Sequence, residues 1–455
     1  MFNRFWRIGT AALLSAALLL AGCTSSKPSG SNAQGGGEGA AKPAENVKLT
    51  LWYWAESDAP GANDWMKETI QKYQQAHPNV QVDLVIQSTD TLAATFQAAA
   101  AAKSGPDIAM QWATMPVLSQ VWAGAVAPLS DYVPQDELKH WLNLNENEYQ
   151  GKQWAGSLYL IGVPLVYNKD LFKKAGLDPE KPPQTWEDFE KALAALKAKG
   201  ITPIGMGNKD GYTGAWMFSN LGIQELDSTD ELKQAVLSGQ DLGNPKFTGW
   251  YQRLNDLVKK GYFNNDVASL DLTQGWKLFP SGKVAMSWTT DGNLSQWIKD
   301  MGEDKIGIMK TPVFGKGKLS QVFNATQSIS LFLTSWSPHK EEAAKFIQYL
   351  HDGERLQAWY NRTGVFPADD RFDPNNIKSP VLRRLWDLET HGSQVWLENY
   401  IPPDIDGNGD LAAGQVILSK NGGPADAVGI WKRAAEAWKL QHPDEVDNYK
   451  NWVTK

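Results

Sequence analysis

Apolar and polar positions along this chain repeat with two different periods, and the two periods take turns. Residues 47–54 place apolar side chains at alternate positions, the pattern of a half-buried strand. Residues 63–76 switch to a helical repeat, with Met66, Ile70 and Tyr73 on one face and Pro78 just past the end. Residues 80–86 alternate again. An alanine-rich helix is expected over 91–103, closed by Gly105 and Pro106, then a short apolar strand over 107–110 and a helix over 116–123. Thr185 is a good N-cap for a helix reaching Gly200, with Asp188 at its third position. Another helix starts after Pro338 and carries Ala343, Ala344, Phe346, Ile347 and Leu350 on one face. A last one, over 425–440, lines up Val428, Trp431, Ala435 and Trp438. The glycine-flanked loop 211–214 shows no helical pattern, and no repeat of fixed period is visible. Strands alternating with helices predict an α/β fold around a largely parallel sheet.

The first residues follow a different logic. Arg4 and Arg7 precede an apolar run, 11–20, that is too short to span a bilayer as a helix of about 20 residues. Small residues and the only cysteine follow: Leu20, Ala21, Gly22, Cys23. This is a secretory layout, and its end resembles a bacterial lipobox, in which the cysteine is acylated and becomes the mature N-terminus. The alternative is an ordinary signal peptide with an incidental cysteine. On the lipobox reading, 1–22 is the signal peptide and 23–46 a lipidated N-terminus and flexible linker, free of aromatic residues up to position 46.

Charge and composition narrow the partners. Loss of residues 1–22 removes Arg4 and Arg7 and no acid, which takes the net charge from −7 to −9. An acidic chain without a basic block is a poor ligand for nucleic acid, whose affinity comes from neutralised phosphates. A single cysteine permits no internal disulfide, so stability rests on burial, and 455 residues suffice for two or three domains' worth of core. Tryptophan is over-represented, at 21 against 13 tyrosines and 15 phenylalanines. Most should be core. A few exposed indoles would suit the C–H face of a pyranose.

Three stretches then fall into a known order: Gly162 to Phe172, Ala175-Gly176-Leu177, and Pro183 to Phe189. Together with Gly105 to Ile108, Phe279 to Met286, and Thr363 to Pro367, they resemble the extracellular solute-binding proteins of carbohydrate ABC importers, maltose- and oligosaccharide-binding proteins among them. The chain departs where relatives often carry an aromatic two residues after a glycine: Gly292 is followed by Asn293 and Leu294. The resemblance implies a two-lobed periplasmic-binding-protein-like fold (type II), with a ligand cleft between lobes joined by several crossovers. Carried over, the N-terminal lobe would be 47–163 plus 310–361, and the C-terminal lobe 164–309 plus 362–455. It also implies an oligosaccharide ligand, the membrane subunits of an ABC permease as partner, attachment to the outer face of the cell membrane through the lipid anchor, and a monomer. No cofactor is expected, and no catalytic motif is present: there is no H-E-x-x-H and no phosphate-cradling glycine loop. A cell-surface glycan-active enzyme with distant carboxylates and a static carbohydrate adhesin are the rival readings.

A neutral sugar needs indole platforms together with carboxylates and amides that bond pairs of hydroxyls, placed in loops after strands. Those positions hold Trp54 and Glu56 after the first strand, Gln111 and Trp112 after 107–110, and Trp216 beyond the 211–214 loop. Trp288, Asp291 and Asn293 follow the Ala285–Met286 strand, Asn324 follows Val322 and Phe323, and Trp396 stands near Glu398. Separately, Asp404, Asp406, Asn408 and Asp410 meet the first half of a calcium-loop pattern, with Gly409 at position six but Gln415 at position twelve. Such a run holds a structural calcium ion or is a polar turn at the cleft rim.

Overall fold

The computed structural model describes residues 45–454 except 90, 240, 241, 243 and 392. The expected signal peptide, Cys23 and all but the last two residues of the expected linker lie outside the described residues. Val47–Tyr53 pairs in parallel with Val80–Ile86 along its whole length, from Val47 opposite Val80 to Tyr53 opposite Ile86. Ile108–Trp112 joins on the other side, also parallel, and Ile329–Thr334 runs antiparallel to it. Val126–Ala127 and Gly156–Ser157 both pair with that last strand. The alternation expected for 47–54 is real: Leu49, Leu51 and Tyr53 are sealed against helices Ala62–Ala76 and Lys340–Leu350 through Trp65, Met66, Ile70, Ala343, Phe346 and Ile347.

A second sheet orders Thr202–Ile204, Val284–Trp288, Leu165–Asn168 and Ile306–Met309. Its strands are buried throughout, which suits continuous apolar runs such as Ile306 to Met309. A third, small sheet of Ser393–Gln394, Phe323–Gln327 and Leu160–Gly162 lies between the two cores.

The chain passes from one core to the other three times, within a few residues each. Leu158 and Tyr159 pack in the first core, Ile161 and Val163 in the second. Ala325 belongs to the second, Ile329 and Leu331 to the first, while Val365 and Phe366 divide the same way. Backbone bonds tie the crossovers to each other, Leu160 N–H to Phe366 O (2.9 Å) and Ala368 N–H to Leu158 O (3.0 Å). The structure thus has two α/β lobes and three adjacent crossovers.

Three expectations need correction. The sheets are mixed rather than largely parallel: Leu165–Asn168 and Ile329–Thr334 each run antiparallel to all the strands they pair with. The stretch 310–322 does not belong to the first lobe. Val313 exchanges backbone bonds with Gln184 and Trp186, Leu319 N–H reaches Leu226 O, and Gly315 and Gly317 lie directly on the backbone of 224–226. The boundary therefore falls near Ser328, and the contact has no local sequence signature because it is made by irregular chain. The 211–214 loop is also not a loop. Gly211, at φ 91°, caps the helix Tyr212–Leu221, in which Thr213 to Leu221 are all buried. A helix covered on every side has no amphipathic stripe to detect.

The lobes touch where Gly292, in the first turn of helix Asp291–Met301, meets the carbonyl of Asp58. A Cβ there would collide with that oxygen and lie 2.8 Å from Pro60 Cδ. Gly292→Ala is expected to hold the lobes apart, raising the radius of gyration in small-angle scattering while far-ultraviolet circular dichroism stays unchanged. An unchanged radius would show that the lobes do not depend on this close approach.

Candidate functional site between the lobes

The crossover strand that runs from the second lobe into the first carries a polar side chain at every second position: Asn324, Thr326, Ser328 and Ser330. All four are buried, and three have partners on different elements. Thr326 Oγ1 donates to Glu146 Oε2 (2.6 Å) and accepts from Asn399 Nδ2 (3.2 Å). Ser328 Oγ donates to Asp58 Oδ2 (2.5 Å), which Tyr159 Oη approaches at 3.5 Å. Ser330 Oγ accepts from Asn147 Nδ2 (2.8 Å). Glu146, Asn147 and Asp58 come from the first lobe and Asn399 from the second, so this strand collects both walls of the cleft.

The first-lobe wall continues through Gln111 to Thr114. Gln111 lies opposite Ser330 and its buried Nε2 has no hydrogen-bond partner. Thr114 N–H is held by Asn147 Oδ1 (2.9 Å), at φ 66° and ψ −115°. A β-branched residue in the left-handed half of φ space stores about 1–3 kcal/mol of strain, and such residues gather where a loop must aim side chains. Trp112 is half-buried and leans on Trp54 at 5.7 Å and 56°. Trp54 is buried, with its N–H on Thr89 Oγ1 (2.9 Å), so it backs Trp112 rather than offering a face of its own.

On the second-lobe wall, Trp216 stacks on Trp276 (5.7 Å, 24°) and meets Trp396 at 6.2 Å and 60°. The indole N–H of Trp396 is buried without a partner, as is Asn324 Oδ1. Asp291 opens helix Asp291–Met301, fully buried, where the helix N-terminus favours its negative charge. Its Oδ1 accepts from Gly162 N–H (3.2 Å) on a crossover strand. Asn293, half-buried in the same turn, donates to Thr290 Oγ1 (3.1 Å).

Two expected ligand residues are placed elsewhere. Glu56 is exposed and both its oxygens accept backbone N–H groups at the start of the 62–76 helix, from Gly61 and Asn63 at 2.9 Å. Asp58, two residues on, is the acid of this turn that bonds the crossover strand, through Ser328. Trp288 is sealed in the second core with its N–H on Thr311 Oγ1 (3.1 Å), and supports the wall from behind. Asp58, Glu146, Asn147, Thr326, Ser328, Ser330 and Asn399 were missed. The one local signal for the strand residues is the polar alternation from 324 to 330, at odds with the apolar strands around it.

The calcium-loop expectation falls on a helical segment. Residues Asp406–Leu411 make a π-helical turn, not an open loop. Helical spacing points Asp404 outward to His442 Nε2 (2.7 Å) and Asp410 into the lobe, and among the described residues no three acid, histidine or cysteine side chains form a metal-holding group.

Acids dominate the site's electrostatics. Burial pushes the Asp58 carboxyl up to about 6, against the hydrogen bonds from Ser328 and Tyr159. Burial likewise raises Asp291 and Glu389, which lie together beside Gly162, and the charge on Asp291 raises Glu389 further. Behind Trp396, burial takes Glu398, bonded to Ser219, to about 8 and Asp406 to about 7, and raises Asp410 well above the carboxylate range. No lysine, arginine or histidine among the described residues acts appreciably on Asp58, Asp291 or Glu398.

A two-lobed α/β chain joined by three adjacent crossovers has the architecture of a binding protein. The chain belongs to the bacterial extracellular solute-binding protein family, whose model matches residues 59–351. Curated relatives include the sn-glycerol-3-phosphate-binding periplasmic proteins of Shigella flexneri serotype 5b (29% identical over 215 residues) and Escherichia coli K12 (28%). The match covers 45% of this chain and 46% of theirs, so the chain spans about half the length of the curated relatives it matches. A chitin oligosaccharide binding protein superposes with a TM-score of 0.78 at 23% identity, over 86% of this chain and 98% of that one. A raffinose complex (0.70, 18%, 86% and 100%) and a Bacillus licheniformis sugar transporter with stachyose (0.69, 18%, 85% and 98%) share the fold. Among the described residues no helix is long and apolar enough to cross a membrane.

Raised carboxyl pKa values fix the sign of the pH response. The folded state holds protons that the unfolded chain releases near pH 4, so the stability contributed by Asp58, Asp406 and Glu398 is complete below that pH and is lost as pH rises through about 6 to 8. Burial lowers His351, which acts in the opposite sense. The melting temperature is expected to fall between pH 6 and pH 9, and Asp410→Asn, which neutralises a carboxylate with neither oxygen bonded, should flatten that fall. A melting temperature level from pH 5 to pH 9 contradicts this.

Proposed function

We propose that the protein captures an uncharged sugar, an oligosaccharide of more than one ring, in the interlobe cleft and delivers it to the permease of an ABC importer. The observation that carries this reading is the set of unpaired buried groups beside the indoles. Gln111 Nε2 and Trp396 Nε1 donate, Asn324 Oδ1 accepts, and Thr114 Oγ1 does either, with groups from both lobes. Sugar hydroxyls both donate and accept, so they suit such a mixed set, and the half-buried Trp112 offers a flat face at the rim. Leaving these groups unpaired costs about 1–3 kcal/mol each, which a polyhydroxylated guest recovers. The names of the structural neighbours, which bind chitin oligosaccharide, raffinose and stachyose, support the same reading. The curated relatives are named for a phosphate ester, but a wall of carboxylates without a cation disfavours a phosphate.

Cys23 would anchor the chain by acyl groups to the outer face of the cell membrane, and the protein would act as a monomer that binds without turnover. A thermal-shift screen across neutral oligosaccharides and sn-glycerol-3-phosphate tests the ligand class, since a guest that binds only the folded form raises its melting temperature. At least one neutral oligosaccharide should raise it and the phosphate should not. New reducing ends after incubation would overturn the reading in favour of a glycan-active enzyme. With the best sugar from that screen, Trp112→Ala is expected to weaken binding by about 1–3 kcal/mol with little change in thermal stability. Calorimetry showing unaltered affinity would take Trp112 out of the site.

A further inference from the structure

The C-terminal helix Pro443–Val453 packs with the second lobe and also touches the first. Tyr449 is fully buried, donates from Oη to the carbonyl of Tyr400 (2.8 Å) and sets its ring edge-on to Trp438 (5.6 Å). Trp452 lies nearly parallel to Tyr400 (6.3 Å, 21°) beneath Lys233 Nζ (5.0 Å). These contacts hold the helix to the second lobe. Across the seam, Glu445 Oε1 accepts from Ser119 Oγ (2.5 Å), while its Oε2 accepts from Trp438 Nε1 (3.0 Å). Trp452 also packs against the small first-lobe cluster that contains Val117, Leu118 and Val121.

Both ends of this bridge lead into the cleft. Ser119 sits on helix Met115–Trp122, which begins directly after strained Thr114 and the Gln111–Trp112 wall. Tyr400 closes the turn Leu397–Tyr400, which carries Glu398 and Asn399. The Ser119–Glu445 bond is not part of any crossover. A bond between lobes on the cleft side of the crossovers forms on closure and breaks on opening, whereas one behind the hinge does the reverse.

We propose that the C-terminal helix is a strap that favours the closed arrangement of the lobes, with Ser119 and Glu445 as its clasp. It rests on the reading of the cleft as a hinged binding site but not on which ligand fills it. Because the bond must compete with the opening equilibrium, its strength biases the resting population before any ligand arrives.

Small-angle scattering of the unliganded full chain tests this without a ligand. Ser119→Glu sets a like charge against Glu445. It is expected to raise the radius of gyration by about 1 Å on a compact-chain value of about 22 Å, towards the value of Gly292→Ala. Adding Glu445→Gln restores a charge-to-amide bond, so the double variant should return to the parent radius with circular dichroism constant throughout. A parent-like radius in Ser119→Glu overturns the strap. So does a raised radius that persists in the double variant, which would mean bulk rather than the clasp. Failure of every sugar in the thermal-shift screen would remove the sugar reading and leave this measurement standing.

Discussion

Burial of polar side chains on a single crossover strand is the constraint around which the molecule is arranged. Asn324, Thr326, Ser328 and Ser330 are all shut away from water, and an unpaired hydroxyl in that setting costs a few kcal/mol. Three of the four are satisfied by groups that come from separate stretches of chain: Glu146, Asn147, Asp58 and Asn399. Each bond fixes one loop against the strand that both lobes share. The walls of the cleft are therefore located relative to each other through one backbone segment, which makes the site precise even where its residues sit on irregular chain. Asn324 is the exception, with its side-chain oxygen unpaired.

The indole N–H fixes several tryptophans as scaffold, although Trp359 keeps its own unpaired inside the first core. Trp54, Trp276, Trp288, Trp431 and Trp438 all spend it on a protein acceptor, and all are buried. Trp396 keeps its N–H unpaired at the second-lobe wall, and Trp112 keeps part of its ring exposed at the first. Trp216 stacks on Trp276 and meets Trp396 at a tilt. Bulky indoles thus serve two purposes here, filling the lobes and lining the space between them, and burial alone does not tell them apart.

Electrostatics sets the character of the seam. Asp58 from one lobe and Asp291 with Glu389 from the other influence one another, and their partners are hydroxyls, a backbone N–H and each other. Bringing carboxyl groups together under cover favours their protonated forms, so closing the lobes and holding protons are linked. Gly292 completes the arrangement, because only a residue without a side chain lets the Asp58 loop lie on the helix that carries Asp291.

Periodicity alone was enough to place the strand 47–53, the helix 62–76, the strand 80–86 and the helix that Thr185 caps, since each has a one-sided burial pattern that repeats locally. The ordered motifs were enough for the family and the two-lobed fold. Gln111, Trp112, Asp291 and Asn324 were legible as candidates because they stand in or next to strands whose positions the pattern reveals. Tertiary structure alone decided the rest. It turned Glu56 into a helix cap and set Asp58 against the crossover strand, hid Trp288, moved 310–322 to the other lobe and folded the aspartate run into a helical turn. Each of those outcomes depends on contacts between residues tens or hundreds of positions apart, and local sequence carries no record of which distant backbone will supply the hydrogen-bond partner.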